Sequence, residues 1–396
     1  MEKPLWIICI THMFIEVYLL MQVALIPVII REFQLSLLEA SLIATIPSIL
    51  TLLMNLPSGL LTDKFTTNQL LSVSMLIEGL STFLVSQTSN FWTLIVGVSL
   101  LKISSPIYHI SGLSQLSRLA KPEKISRYVG FHNALGSLGS AAGLITLAVF
   151  LTTFGWRITY LFWAVPILLW GFIILKSPYL RTKPAKRESY EKKNHRFTRL
   201  SLIFSAEFII LLLVIGVREI GATGSSTFMT TFFTDTRGLP DATSSLIFSL
   251  GPFAGIAGSL IGGYLGERLG AKKALSLTIL CSAFSLILLP VAFELYLIVL
   301  AYLLYSFFSS AIWSPMNTIV ANVTPETERG MSYSVYFLTE GLLASVAPTL
   351  AAGFIELTEI WFVFPYSVVF MIVSVFILQF LKLPQHQRNN FKQSTE

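Results

Sequence analysis

The sequence predicts an all-α polytopic membrane protein, with twelve transmembrane helices arranged as two six-helix bundles. Three observations carry that expectation. Of 396 residues, 54% are hydrophobic and only 12% are charged, whereas soluble domains carry about 25% charged residues. Apolar runs of the ~20 residues needed for one helical crossing recur along the whole chain. Local patterns of the first half also return about two hundred residues later.

Taken in order, the apolar runs place the spans at 5–30, 37–61, 69–87, 91–117, 127–153, 157–176, 201–233, 242–266, 272–290, 294–321, 330–356 and 360–381. The first carries Glu16 and lacks a small-residue cleavage site after a short apolar core. It is therefore expected as a retained helix and not as a signal peptide. The only long polar segment, 177–200, divides the spans six and six. The expected organisation is an N-terminal bundle 1–176, a linker 177–200, a C-terminal bundle 201–383 and a tail 384–396.

Basic residues orient the chain. With the N-terminus inside, 22 of the 27 Lys and Arg fall in inner segments, and only Arg31, Arg157 and Arg237 in outer loops. The positive-inside rule then predicts a cell-membrane protein with both termini cytoplasmic. The net charge of +6 thus reports topology, and no nucleic-acid partner is expected. The basic run RTKPAKRESYEKKNHRFTR (181–199) reads as a linker beside anionic head groups. Cys9 and Cys281 lie in different halves, which supports neither a disulfide framework nor a metal cluster. No cofactor is expected.

The halves share three patterns. Gly59–Phe65 matches Gly263–Leu269 at an offset of 204, Ser104–Tyr108 matches Ser309–Trp313 at 205, and Lys121–Glu123 matches Thr324–Glu326 at 203. Six plus six spans with both termini on one side makes the halves parallel repeats, related by an axis along the membrane normal.

At this point the chain resembles the major facilitator superfamily. That family's signature after its second helix runs roughly G-x-L-[AG]-D-[RK]-x-G-[RK]-[RK]. Gly59, Leu61, Asp63 and Lys64 fit it, whereas Thr66, Thr67 and Asn68 replace the glycine and basic pair. The second copy is fuller, with Gly263, Leu265, Glu267, Arg268, Gly270, Lys272 and Lys273. Within the superfamily, His12, IYHISG at 107–112, GWRITYLFW at 155–163 and VREIGATGSSTFMTTFF at 217–233 resemble the fosmidomycin-resistance group of exporters. Tyr108, His109 and Gly112 keep that group's fourth-helix pattern, with Ile110 in place of its proline. The fifth helix has the glycines of an antiporter pattern, Gly139 and Gly143 with Gly136 a turn earlier, but not its proline.

The resemblance implies a monomeric secondary active transporter working by alternating access, with helices 1, 4, 7 and 10 lining its cavity. It further implies that Asp63 and Lys64 latch the outward-open state against helix 11, with Glu267 and Arg268 as the mirror copy against helix 5.

Ionisable groups at bilayer depth cost at least ~2.5 kcal/mol each, so they are paired or functional. Arg218 holds its charge permanently and offers a fork to a carboxylate or phosphonate. His109, Lys102 and the repeat-equivalent aromatics Tyr108 and Trp313 join it as candidate substrate residues. Each aromatic stands beside an expected break, at Ser105-Pro106 and Ser314-Pro315. His12 and Glu16 are four apart and share a helix face, which suits proton carriage; Glu16 neutralising Arg218 is the structural alternative. Glu340 divides between proton coupling and structural pairing. Glu78 is expected to contact a neighbouring helix or Lys102.

The function this implies is proton-coupled export of a small organic, anionic or drug-like solute. Proton-linked import of a small metabolite is the alternative. An enzyme is not expected, since neither a Walker A run nor an H-E-x-x-H run is present.

Overall fold

A computed structural model of the protein describes residues 3–62, 64–119, 125–180, 205–324 and 329–382. Among these residues there are twelve helices long and apolar enough to cross a membrane, and no strand. They are α1 (Lys3–Ala24), α2 (Leu37–Leu61), α3 (Thr67–Ser86), α4 (Phe91–Leu116), α5 (Tyr128–Leu151), α6 (Trp156–Lys176), α7 (Ala206–Thr227), α8 (Asp241–Leu269), α9 (Ala271–Val291), α10 (Leu295–Val323), α11 (Ser332–Glu356) and α12 (Ile360–Gln379). Each expected span has its helix.

The described residues form two compact units that cut across chain order. The first holds residues up to 180 together with 224–253 and 345–363. The second holds 205–223, 254–324, 329–344 and 364–382.

In the first unit α3 packs against α6 and α4, α2 against α4, and α1 against α4 and α5. Start signals are local. Ser36 caps α2 reciprocally: the Glu39 amide donates to Ser36 Oγ at 3.1 Å and the Ser36 amide to Glu39 Oε2 at 2.8 Å. Before α3, the Thr66 amide donates to Gln69 Oε1 at 3.0 Å, and buried Asn68 donates to the Leu175 carbonyl at 3.2 Å. The residues that depart from the family signature here cap α3 and dock it on α6.

The first span is interrupted. Its helix ends at Glu16 and resumes at Met21, and the Val17 amide turns to the Phe14 carbonyl at 3.3 Å. A backbone opened at membrane depth must find partners within the protein. Ser140 of α5 donates to the Glu16 carbonyl at 3.1 Å. A Cβ at Gly139 or Gly143 would overlap the Met13 or Val17 carbonyl, so these glycines admit the opened backbone against α5. Ser140 stands where the antiporter pattern has proline.

The break expected at Ser105-Pro106 is absent: α4 runs unbroken through Pro106. Proline removes the hydrogen bond to the carbonyl four residues back, here that of Lys102. The Thr51 hydroxyl of α2 donates to the Pro47 carbonyl at 2.9 Å and approaches the Lys102 carbonyl as a longer second contact at 3.4 Å. By contrast, α10 is interrupted at Ile312, three residues before Pro315. Beside it, a Cβ at Gly262 would overlap the Ala311 carbonyl.

At the far end of the first unit, segments distant in sequence are tied together. The Leu38 amide donates to Glu356 Oε1 at 2.8 Å, and Ser41 and Thr45 meet Thr349 Oγ1 at 3.2 and 2.9 Å. Arg31 pairs with Asp235 at 3.5 Å and Asp241 at 2.5 Å. Glu32 accepts from Arg157 Nη2 at 2.6 Å and from Trp156 Nε1 at 2.8 Å. Burial pushes the Glu32 carboxyl up, but these donors outweigh it and hold it below its ordinary value.

Two predictions follow from this packing. Gly139→Ala should lower the melting temperature of the purified protein, the overlap costing about 1–3 kcal/mol. Gly130→Ala, with open space around its Cβ position, should leave it unchanged or raise it. Equal effects would disprove the close approach of α1 and α5. Second, a depressed carboxyl stabilises above the unfolded value of about pH 4.3 and loses that contribution as pH falls through the folded value. Acidification below about pH 4 should therefore destabilise the wild type more than Glu32→Gln, read by thermal unfolding at each pH.

Candidate functional site

Each unit contains one cluster of buried ionisable groups. In the first, Glu16 stands where α1 breaks. Its Oε1 lies 3.4 Å from His12 Nε2 and 3.2 Å from His109 Nε2 of α4. The expected His12–Glu16 face is therefore real, and His109 joins it from another helix.

The hydrogen-bond network sets the proton positions. A backbone carbonyl only accepts, so His12 Nδ1–H donates to the His132 carbonyl at 2.8 Å, and Nε2 is left facing Glu16. Tyr108 spends its single proton on the Ile8 carbonyl at 2.7 Å, so its oxygen accepts from His132 Nε2–H at 2.9 Å. The His12 and His132 rings stack with centroids 3.8 Å apart, and His109 meets His12 edge-on at 5.1 Å. Gly136 makes the stack feasible, since a Cβ there would sit 2.6 Å from His12 Nδ1. Below the stack, Glu78 is wholly buried and accepts from Ser104 at 3.2 Å, while its Oε1 has no partner. Buried Lys102 lies within electrostatic reach of both Glu16 and Glu78.

Tyr108 is not exposed at all, and its hydroxyl is used twice, so here it positions its neighbours. Glu16 takes its partners from His12 and His109.

In the second unit, Arg218 of α7 is buried. Its Nη1 pairs with the adjacent Glu219, and its Nη2 approaches Ser309 Oγ at 3.5 Å. The guanidinium lies 5.4 Å from the Trp313 ring centre, and Thr223 holds the other oxygen of Glu219 at 3.1 Å. Among the ionisable groups described in this unit, three buried atoms have no hydrogen-bond partner: Arg218 Nε, Tyr336 OH and Glu340 Oε2. Arg218, Glu219, Trp313 and Glu340 stand out in the sequence as charged or repeat-equivalent residues at membrane depth, whereas Tyr336 does not.

Of the expected gating residues, Asp63 lies outside the described residues. Lys64 is exposed in the turn before α3. Glu267 and Arg268 are exposed at the end of α8, where the Arg268 guanidinium lies 5.3 Å from the Tyr264 ring centre. His132 is an ionisable group on the fifth span. Its signal was spacing, since it stands four residues before Gly136 on the glycine face that meets α1.

Comparison with known proteins agrees with this architecture. The chain is similar to a bacterial homologue of the human lysosomal transporter Spinster in an inward-facing, occupied conformation, with a TM-score of 0.78 at 15% identity over 96% of this chain and 97% of that one. It is similar to a POT family transporter in complex with a thioalcohol-conjugated peptide, with a TM-score of 0.76 at 14% identity over 95% of each chain. At such identities the likeness concerns the fold alone. Among curated proteins, it is 30% identical over 134 residues to the nitrite extrusion protein of Bacillus subtilis (strain 168), a match covering 34% of this chain and 33% of that relative. A sequence model of the Major Facilitator Superfamily matches residues 7–255 and 211–396. With twelve spans, a repeat at an offset near 204 and that match along nearly its whole length, the chain belongs to the Major Facilitator Superfamily of membrane transporters.

Proposed function

We propose that this transporter exports a small anion by alternating access, exchanging it for protons, from a membrane in which both termini face the cytoplasm. The observation that carries the reading is the open edge of Arg218. A guanidinium binds a planar anion side-on through Nε–H and Nη2–H. Here Glu219 occupies Nη1, Nε is unpartnered, and Nη2 has only a distant hydroxyl. Glu219 thereby aims the fork and leaves its recognition edge available, with the Trp313 face beside it.

The resemblance of His12, Tyr108-His109 and Arg218 to fosmidomycin-resistance-like exporters supports this direction, as does the partial match to a nitrite extrusion protein. Glu340 is the carboxylate we assign to proton carriage. Its buried Oε2 lacks a partner, and an unpaired anion at that depth is costly enough for a proton to stabilise it. In this scheme the ties of Ser41, Thr45 and Glu356 close the outer end, and Asp63, Lys64, Glu267 and Arg268 gate the inner end. The protein works as a monomer.

Proton-linked uptake is the second reading, and one observation favours it. Arg218 is already neutralised by Glu219. An anion docking on the open edge would leave the site with excess negative charge, and a proton taken up with the anion would offset it.

Proteoliposomes loaded with nitrite, a short carboxylate or a phosphonate separate these readings. Export by exchange predicts that an imposed pH gradient drives the anion against the direction of proton flow; movement of both together establishes the second reading. Arg218→Ala should abolish anion transport, and Arg218→Lys should reduce it about tenfold or more, the loss of a bidentate contact worth about 1.4 kcal/mol. Unaltered anion transport in both variants would overturn the anion reading.

A further inference from the structure

We infer that His12, Glu16 and His109 form a binding site for a first-row divalent transition cation of the zinc class, bridging α1 and α4. The inference is independent of the solute carried and rests on three features of the first unit.

The first is donor spacing. Glu16 Oε1 lies 3.4 Å from His12 Nε2 and 3.2 Å from His109 Nε2, and the three donor atoms all lie within 4.8 Å of one another. A tetrahedral zinc ion with bonds of about 2.0–2.1 Å holds its ligand atoms roughly 3.3 Å apart. Two edges of the trio already have that length. The closing His12–His109 edge is no longer than 4.8 Å.

The second is the tautomer. The His132 carbonyl accepts from His12 Nδ1 at 2.8 Å, so in the neutral ring the Nε2 lone pair is directed toward Glu16. Metal-binding histidines are oriented in this way by a backbone carbonyl or carboxylate on the far nitrogen. Stacking on His132 at 3.8 Å and the missing Cβ of Gly136 hold the ring in that pose. A histidine serving only as an ion-pair partner does not require its far nitrogen and its ring faces to be fixed as well.

The third is access. His12 is buried and Glu16 nearly so, whereas the His109 side chain is about a third exposed (33%). An ion can therefore enter on the His109 side and keep a fourth position for water or solute. Two imidazoles and one carboxylate suit zinc, cobalt or nickel better than magnesium or calcium, which favour all-oxygen shells. One opposing charge is nearby: Lys102 lies within electrostatic reach of Glu16 but is shared with Glu78.

The test uses the full chain in detergent, free of any polyhistidine tag, titrated with cobalt(II). One equivalent should bind with the intense visible bands of four-coordinate cobalt, and zinc should displace it. His109→Ala should weaken binding at least tenfold. Because that ring is partly exposed, the variant is expected to stay folded, which its elution as a single species would verify. Glu16→Gln provides a second variant that keeps the side-chain volume and should also lose the four-coordinate bands. His195→Ala and His386→Ala, which remove the chain's other two histidines outside the cluster, should bind as the wild type does. Absence of saturable binding, a six-coordinate spectrum only, or four-coordinate bands retained in both His109→Ala and Glu16→Gln would overturn the site.

Discussion

Lipid offers no hydrogen bonds, so wherever this chain opens a helix or carries a charge across the bilayer, another helix must answer it. That constraint organises the molecule. The first span opens after Glu16, and α5 answers with the Ser140 hydroxyl and with two glycines that admit the freed carbonyls of Met13 and Val17. Pro106 deprives the Lys102 carbonyl of its helical donor, and the Thr51 hydroxyl of α2 approaches it at 3.4 Å. Around the interruption of α10, Gly258 and Gly262 stand against the Phe307 and Ala311 carbonyls. Helix packing in both units is therefore closest where the backbone is least regular.

The charged groups obey the same rule, and the exceptions carry the functional argument. Glu16 is matched by two imidazoles, and Arg218 by its neighbour Glu219. Against that background, unmatched atoms stand out. Arg218 Nε, Glu340 Oε2 and Tyr336 OH are buried without partners in one unit, and Glu78 Oε1 in the other. Unsatisfied polar atoms at this depth are expensive, and these four belong to ionisable groups, which a ligand or a proton can satisfy. The first unit's cluster is stacked and hydrogen-bonded save for Glu78 Oε1, whereas the second unit's cluster leaves three atoms open.

The spans and the repeat were legible in the sequence, because length, hydropathy and a constant offset are one-dimensional signals. So was the shared face of His12 and Glu16, which four-residue spacing imposes on any helix. His109 completing that group depends on how α1 packs against α4, which no local pattern encodes. Arg218 was legible as a buried cation, but its partner was not. Adjacent helical residues point about 100° apart, so a reading by faces discards Glu219, although a long guanidinium side chain reaches back to it. Tyr108 was grouped with Trp313 because their repeat positions match, and its surroundings were not legible. The two hydrogen bonds that bury it come from Ile8 and His132, on other helices.

Alternating access is the claim on which the functional account rests. It requires the ties between α2 and α11 to part in every cycle, because Ser41 and Thr45 meet Thr349 at 3.2 and 2.9 Å in the state described. The most direct measurement pairs Ser41→Cys with Thr349→Cys, in a chain whose Cys9 and Cys281 are replaced by serine. The two thiols are joined by a short bifunctional reagent that reduction cleaves, and anion flux is followed in proteoliposomes. The account predicts that crosslinking arrests flux and that reduction restores it. Flux undiminished in fully crosslinked protein would contradict it.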